Sequence, residues 1–446
     1  MKQPKIVIVG GGSYSWGPQF IRDFAITPEL SGCSIVLHDI NPESLNLVYR
    51  LGEKIIGAVG GGYDLEKTLS LDEALTDADF VILTITTGGL EAMRHDLEIP
   101  EKYGIFQSVG DTVGPGGLAR GLRNIPVVLD IARKMEEICP DAWLLNYTNP
   151  MTTLCRVVTR ETNIKTIGLC HELMGVQHNL SKLFKAPEGE ISARIGGINH
   201  LIWILDLKIN GYDALSEFSQ MADQILAGEI LVDAEDTSVF ADHFKVKSSL
   251  FQIYGALPAA GDRHLAEFFP FFITTDAERG DLYDFTLTNI EDRYQLFEES
   301  KGFILALLSG DLSLAPHLKE TSGEAANKII AAILGAESYT GPMNLPNQGQ
   351  ITSLPDDVIV ETFATVEVAG VKPEHIGKLP HGINSVVRRH VDNQELVVEA
   401  AIHGDRKLSL TALVNDPLVT NLKTVSAMLD EMLLANQQYL PQFFNK

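Results

Sequence analysis

Lys5-Ile6-Val7-Ile8-Val9-Gly10-Gly11-Gly12-Ser13 opens the chain after four residues. The run from Ile6 to Val9 is apolar and β-branched with no polar alternation, the pattern of a parallel strand buried on both faces. The glycines after it permit a sharp turn and bring bare backbone N–H groups up to a pyrophosphate at a helix N-terminus. Gly10, Gly11, Gly12 and Ser13 therefore read as a dinucleotide cradle. The third glycine position of the G-x-G-x-x-G fingerprint holds Ser15 instead. A second strand-like run at 34–37 leads to Asp39, where a carboxylate accepts from the ribose hydroxyls and disfavours a 2′-phosphate, so NAD is expected over NADP.

The same texture continues outward. Strand-like runs at 80–85, 142–145 and 166–169 alternate with helical periodicity at 18–26, 43–59, 71–75, 124–138 and 151–162. Strands alternating with helices give an α/β fold, here an N-terminal Rossmann-like doubly wound parallel sheet. Beyond residue 195, a stretch at 193–207 reads as one long apolar strand, and helical patterns follow at 298–308 and 324–334. We expect an NAD-binding domain over 1–195 and an α+β domain over 196–446 that carries substrate and metal binding and oligomerisation.

At 446 residues and 45% hydrophobic composition the chain can bury a large core. Its 59 acidic against 35 basic residues give a net charge of -24, which repels nucleic acid and anionic lipid. An anionic small molecule would have to be held by specific arginines. The four cysteines form no C-x-x-C pair, and the sequence has neither a signal-peptide pattern nor an apolar run of membrane-spanning length. A cytoplasmic protein with reduced thiols and no membrane partner is expected.

Gly168-Leu169-Cys170-His171-Glu172 and Gly197-Ile198-Asn199-His200 carry the strongest chemical signal. Thiolate and imidazole suit a first-row divalent ion. Cys170 ends a predicted strand, where open α/β sheets bind ligands. Alone, Cys170 reads better as a small core residue and His200 as a core histidine; together in one cleft they read as a metal pair. Asn146 and Asn149 end the neighbouring strand, as turn formers or sugar binders. Two further polar runs stand out: Gly110-Asp111-Thr112-Val113-Gly114-Pro115-Gly116-Gly117 with Arg120 and Arg123, and Gly261-Asp262-Arg263-His264 with Glu267. The second puts an acid, a cation and an imidazole in a row. A third run, Asn344 to Gln350, reads equally well as a plain loop or as a polar constellation.

Taken together, the glycine-rich start, Asn146-Tyr147-Thr148-Asn149-Pro150, the two metal motifs and Gly114-Pro115-Gly116-Gly117 resemble glycoside hydrolase family 4. The resemblance spans essentially the whole chain and implies a lactate/malate dehydrogenase-like fold, NAD, and Mn²⁺ or another divalent metal. In that family NAD takes hydride from carbon 3 of the sugar, and the ketone acidifies the carbon-2 proton. Elimination, water addition and hydride return follow, with the metal as Lewis acid. Carried over, Cys170 and His200 are metal ligands, Asn149 positions substrate, His171 is the acid toward the leaving oxygen and Asp262 the carbon-2 base, with Tyr254 the fallback. Cys170-His171-Glu172 resembles the uronic-acid branch, with Leu173 where Val is usual. The long matches at 107–117 and 259–268 look most like α-galacturonidases. Glu172 then marks the uronate, and Arg263 or Arg94, or less directly Arg120, clamps its carboxylate.

The expected activity is hydrolysis of α-galacturonides from short pectin fragments by a homodimer or homotetramer. An α-glucuronidase is the alternative. A 2-hydroxyacid or sugar dehydrogenase, or a non-catalytic NAD-binding regulator, would not need the metal pair.

Overall fold

A computed structural model of the chain describes residues 3–444 apart from 234, 237, 239 and 274–282. The strands are β1 (Lys5–Val9), β2 (Ser34–His38), β3 (Asp64–Thr68), β4 (Phe80–Leu83), β5 (Trp143–Asn146), β6 (Lys165–Gly168), β7 (Ile191–Ile198), β8 (Leu201–Ile209), β9 (Tyr212–Asp213), β10 (Leu257–Pro258), β11 (Tyr339–Pro346), β12 (Ile359–Glu367) and β13 (Gly370–Pro373). They form one 13-stranded sheet in the order β10-β8-β7-β12-β11-β6-β5-β4-β1-β2-β3, with β13 on β12 and β9 on β8. The first six are mutually parallel, and the rest join antiparallel.

Alternation along the strands sorts the core. Ile6, Ile8, Ile35 and Leu37 pack on one face, beneath α1 (Trp16–Ala25) and α2 (Pro42–Val59). Val7, Val9, Val36, Val81 and Leu83 pack on the other. There they meet α5 (Gly114–Ile138), whose predecessors are α3 (Leu71–Leu75) and α4 (Gly89–Lys102), and α6 (Met151–Glu161). Both faces are covered, which is why these strands carry no polar alternation.

Two expectations are corrected, and one strand is added. Residues 193–207 are not one strand but a hairpin, β7 and β8, with Ile198 opposite Leu201 and Asn199-His200 as its two-residue turn. Apolar residues on both sides of the turn hid the reversal. The helix expected at 124–138 starts ten residues earlier, because Gly114-Pro115-Gly116-Gly117 is its first turn; Pro is well placed there, its missing N–H being one a helix start leaves unpaired. Finally, β3 is a polar edge strand with no apolar period to betray it.

The remaining helices are α7 (Glu172–Phe184), α8 (Leu215–Leu226), α9 (Lys245–Tyr254), α10 (Asp262–Phe268), α11 (Ile290–Ser309), α12 (Ala326–Ile333), α13 (His381–His403), α14 (Arg406–Asn415), α15 (Val425–Ala435) and α16 (Pro441–Phe444). None among the described residues is long and apolar enough to cross a membrane.

Candidate active site

The carboxyl ends of β1, β2, β4, β5 and β6 lie along one edge of the sheet, and there the predicted residues gather. Gly10 has φ +90°, and a Cβ on it would stand 2.1 Å from the Thr84 carbonyl oxygen, so only glycine fits. The N–H groups of Gly10 and Gly11 both donate to the His38 carbonyl at 2.9 Å, stitching the turn to β2. A Cβ on Gly12 would meet Ser44 Oγ at 2.7 Å and Asp39 Oδ2 at 2.8 Å. Asp39 itself accepts from Gly12 N and Asn41 N, both at 2.9 Å, which aims its carboxylate at the mouth of the turn. Ser13 Oγ accepts from Trp16 N at the start of α1.

The missing third glycine is Gly17, two positions later than the fingerprint puts it. A Cβ there would lie 2.7 Å from the Gly11 oxygen and 2.8 Å from Val48 Cγ1, so Gly17 is what lets α1 close on the turn. This cradle fits a dinucleotide: bare backbone at the turn, a helix N-terminus behind it and a carboxylate at the second strand end.

Next along the edge, Cys170 follows β6. It is the one partly exposed cysteine of four; Cys33, Cys139 and Cys155 are core residues. Its sulfur lies 3.5 Å from His200 Nε2. His200 is buried at 3% exposure and sits in the β7–β8 turn at φ +64°, a left-handed conformation unusual for a residue other than glycine and common at functional positions.

The proton on His200 can be located by elimination. Burial would raise the Asp111 carboxyl, but Arg120, the imidazoles of His264 and His200, and the Thr112 hydroxyl hold it down at about 2. Ionised, Asp111 can only accept, so the Thr112 hydroxyl donates to Asp111 Oδ1 at 2.7 Å. The Thr112 oxygen must then accept from His200 Nδ1–H, 2.9 Å away. The Nε2 lone pair is left facing the Cys170 sulfur. Burial and His264 push the His200 imidazolium down to about 3, so the ring is neutral near pH 7.

The donor set fits a divalent ion. Burial, together with Glu172 and Glu361, pushes the Cys170 thiol well up, so an anionic sulfur there needs a cation beside it. Asp111, His200 and His264 carry one candidate ligand atom each within 4.8 Å of one another, and the His200 and His264 rings lie 3.7 Å apart by centroid. His264 Nε2 in turn lies 3.6 Å from Glu172 Oε1, whose partner Oε2 accepts Gly261 N–H at 2.6 Å. Against burial, the imidazoles of His264, His200 and His171 and that N–H hold the Glu172 carboxyl down at about 2.

The other expected residues divide. Asn149 is in the cluster: its Nδ2 lies 3.4 Å from Asp111 Oδ2, and its carbonyl accepts from Arg120 Nε at 2.9 Å. His171 caps α7 with an exposed ring, and Glu324, 3.2 Å away, raises its imidazole above the ordinary value. Asn146 is a turn former whose side chain bonds the Thr148 backbone.

Asp262 departs from expectation. Its oxygens accept the N–H groups of Val246 at 3.0 Å and Lys247 at 3.1 Å, at the start of α9, and the ammonium of buried Lys247 at 3.0 Å. It is 2% exposed and serves as a buried cap and ion-pair partner rather than a group facing the cluster. Tyr254 packs its ring on Trp203 and Phe269.

Arg94 lies in a surface network with Glu98 and Glu291, at 2.8 and 2.9 Å. The Arg263 guanidinium bonds the carbonyls of Thr286 and Ser108 and the Thr288 hydroxyl. Neither is placed to clamp a substrate carboxylate. Thr112, His264 and Asp111 were visible in the sequence only as members of polar runs, since their roles depend on contacts far along the chain, such as Thr112 to His200 and His264 to Glu172.

Comparison with known proteins agrees in extent with this architecture. Residues 5–186 match the family 4 glycosyl hydrolases and residues 195–419 the family 4 glycosyl hydrolase C-terminal domain. The alpha-galacturonidase of Thermoanaerobacterium saccharolyticum is 38% identical over 98% of this chain and 96% of its own. Among solved structures, the putative glucosidase lplD from Bacillus subtilis superposes with a TM-score of 0.90 at 36% identity, covering 97% of this chain and all of that one. The 6-phospho-beta glucosidase from Thermotoga maritima, determined with manganese, NAD+ and glucose-6-phosphate, shares the fold at a TM-score of 0.80 and 22% identity, over 98% of this chain and 99% of that one.

Proposed function

The chain belongs to the family 4 glycosyl hydrolases, and from that premise we propose that it is an α-galacturonidase using NAD and a divalent ion such as Mn²⁺. The observation that carries the reading is the Cys170–His200 pair, 3.5 Å apart, on the same sheet edge as the glycine cradle and Asp39. Full-length likeness to an alpha-galacturonidase supports the substrate class.

Bound in these sites, NAD would supply a reversible hydride acceptor for carbon 3 of the sugar and the divalent ion Lewis acidity at the adjoining carbons. The protein's own groups do the rest. Gly10 to Ser13 and Asp39 hold the dinucleotide, and Cys170 and His200 hold the ion. Asn149, next to Asp111, orients the sugar. His171, whose imidazole Glu324 raises above the ordinary value, gives its proton to the leaving oxygen.

We assign removal of the carbon-2 proton to His264. Burial lowers its imidazole and so leaves it neutral, and the Glu172 carboxylate lies 3.6 Å from its Nε2, where it favours the protonated ring that proton removal creates. Glu172, being ionised, would repel a uronate; it holds His264 and the loop before α10 instead.

The division at residues 195 and 196 is kept as the boundary between nucleotide-binding and substrate-binding parts, although one sheet runs through both. The assembly we propose is a homodimer or homotetramer. Four cysteines without a disulfide and the requirement for NAD support a cytoplasmic setting.

The test is p-nitrophenyl α-galacturonide with NAD⁺ and Mn²⁺ under reducing conditions. Nitrophenol should appear without accumulation of NADH, and deuterium from D₂O should enter carbon 2 of the product. Steady NADH formation would make the protein a dehydrogenase, and product free of deuterium would exclude the elimination route.

A further inference from the structure

An acidic protein that takes an anionic sugar needs a specific cation, and the arginines near the cluster are mostly spent. Arg123 is locked to Asp96, both about fully buried, through two hydrogen bonds of 2.7 and 2.5 Å. Arg263 is held by backbone carbonyls and Thr288, and Arg94 by surface glutamates.

Arg120, on the second turn of α5, is different. Its Nε donates to the Asn149 carbonyl at 2.9 Å. Among the described residues its two terminal nitrogens meet no acceptor, and no carboxylate lies within 4.0 Å of them. Arg120 is partly buried, and Asp111 is the charge that acts on it most strongly. A guanidinium drawn from water on a single hydrogen bond is a costly arrangement unless an anion completes it. Its planar fork with the inner edge already anchored suits a carboxylate, which takes two parallel N–H bonds. The anchor is the residue expected to position the sugar, so the open fork faces the same space as Asn149 and Asp111.

We propose that Arg120 binds the carbon-6 carboxylate of the substrate and is the residue that selects a uronide over a neutral hexoside. This rests on the galacturonidase reading above.

The test compares kcat/KM on p-nitrophenyl α-galacturonide and p-nitrophenyl α-galactoside, with holoenzyme loaded with NAD⁺ and Mn²⁺, for wild type, Arg120→Gln, Arg120→Lys and Arg293→Gln. Calorimetric binding of free galacturonate and galactose gives a readout independent of turnover. Loss of two charge-assisted bonds should lower the uronide value about 100-fold or more in Arg120→Gln, and galacturonate binding with it. The galactoside should change by less than about tenfold, reflecting only the lost Asn149 contact. Arg120→Lys, which keeps the charge but not the fork, should fall between and serves if the glutamine variant does not fold.

Equal loss on both substrates, or a uronide preference that survives Arg120→Gln, overturns the assignment alone. So does a preference lost instead in Arg293→Gln; that guanidinium stands 5.5 Å over Phe240 with no hydrogen-bond or ion-pair partner among the described residues. A wild type that prefers the galactoside overturns the galacturonidase reading and this assignment with it.

Discussion

Removing the Thr112 hydroxyl should loosen the metal site without touching either ligand. In Thr112→Val the His200 Nδ1–H loses its acceptor at 2.9 Å, and Asp111 Oδ1 loses its donor at 2.7 Å. The imidazole is then free to rotate or to adopt the other tautomer, which points a proton rather than a lone pair at Cys170. A buried N–H left without a partner costs about 1–3 kcal/mol. Loss of a partner that orients a ligating histidine weakens metal binding by about 10–100-fold, or about 1.4–2.8 kcal/mol. The two estimates agree, so the expected dissociation constant for Mn²⁺ rises by one to two orders of magnitude. Titration followed by the electron paramagnetic resonance signal of free Mn²⁺ measures this without turnover. Thr112→Ser keeps the hydroxyl and should bind like wild type, while NAD⁺ affinity should hold in both variants. Mn²⁺ binding by Thr112→Val within about twofold of wild type, well under the 10-fold floor of the expectation, would refute the relay. So would a serine variant as weak as the valine one, since the effect would then be packing.

Gly17→Ala puts a Cβ 2.7 Å from the Gly11 oxygen and should weaken NAD⁺ binding in calorimetry while leaving Mn²⁺ binding intact; unchanged affinity would remove Gly17 from the cradle. Asp262→Asn removes one of the two carboxylates on buried Lys247, which keeps Asp242 at 2.6 Å, and should destabilise the fold by about 1–3 kcal/mol, whereas His264→Gln should bind NAD⁺ like wild type and lose deuterium exchange at carbon 2. A stable Asp262→Asn enzyme without exchange would return the base role to Asp262. Glu267 accepts two backbone N–H groups with one oxygen, and burial raises its carboxyl from 4.5 to about 8. A raised acid stabilises the fold fully below its ordinary value and loses that contribution as pH climbs through the folded one. Wild type should therefore lose urea resistance between about pH 4.5 and 8, and Glu267→Gln should flatten that decline; parallel curves would show that Glu267 does not titrate there.

The parallel half of the sheet was legible because burial on both faces leaves an unmistakable apolar run, and because glycine at Gly10 has a single steric cause. The Cys170–His200 contact was legible because the two residues lie 30 residues apart in two short motifs. What the sequence concealed depended on partners far along the chain. Asp262 looks like a base in Gly-Asp-Arg-His, and only the start of α9 shows that its oxygens are taken. The same four residues hold His264, whose role follows from Glu172, 92 positions away by residue number. The arginines illustrate the point most simply: Arg94, Arg120 and Arg263 are indistinguishable as letters, and they differ only in what already occupies their nitrogens.

Proximity in sequence also misleads about what builds the metal pair. Between β6, which delivers Cys170, and β7, which leads to His200, the sheet interposes β11 and β12. Three steps at about 4.8 Å would hold β6 and β7 about 14 Å apart, against 3.5 Å between sulfur and Nε2. The inserted strands touch their neighbours at single points, Asn344 opposite Gly168 and Glu361 opposite Gly197. A Cβ on Gly168 would stand 2.9 Å from Asn344 Cβ, so glycine permits the approach of β11 to β6. Beyond those points the segment after β6 and the β7–β8 turn bring Cys170 and His200 together, with His200 in the left-handed conformation. The spacing of the ligands is therefore set by residues 339–367. A fragment ending just after His200 would contain both ligands and Thr112 but neither of the two strands that lie between them in the sheet.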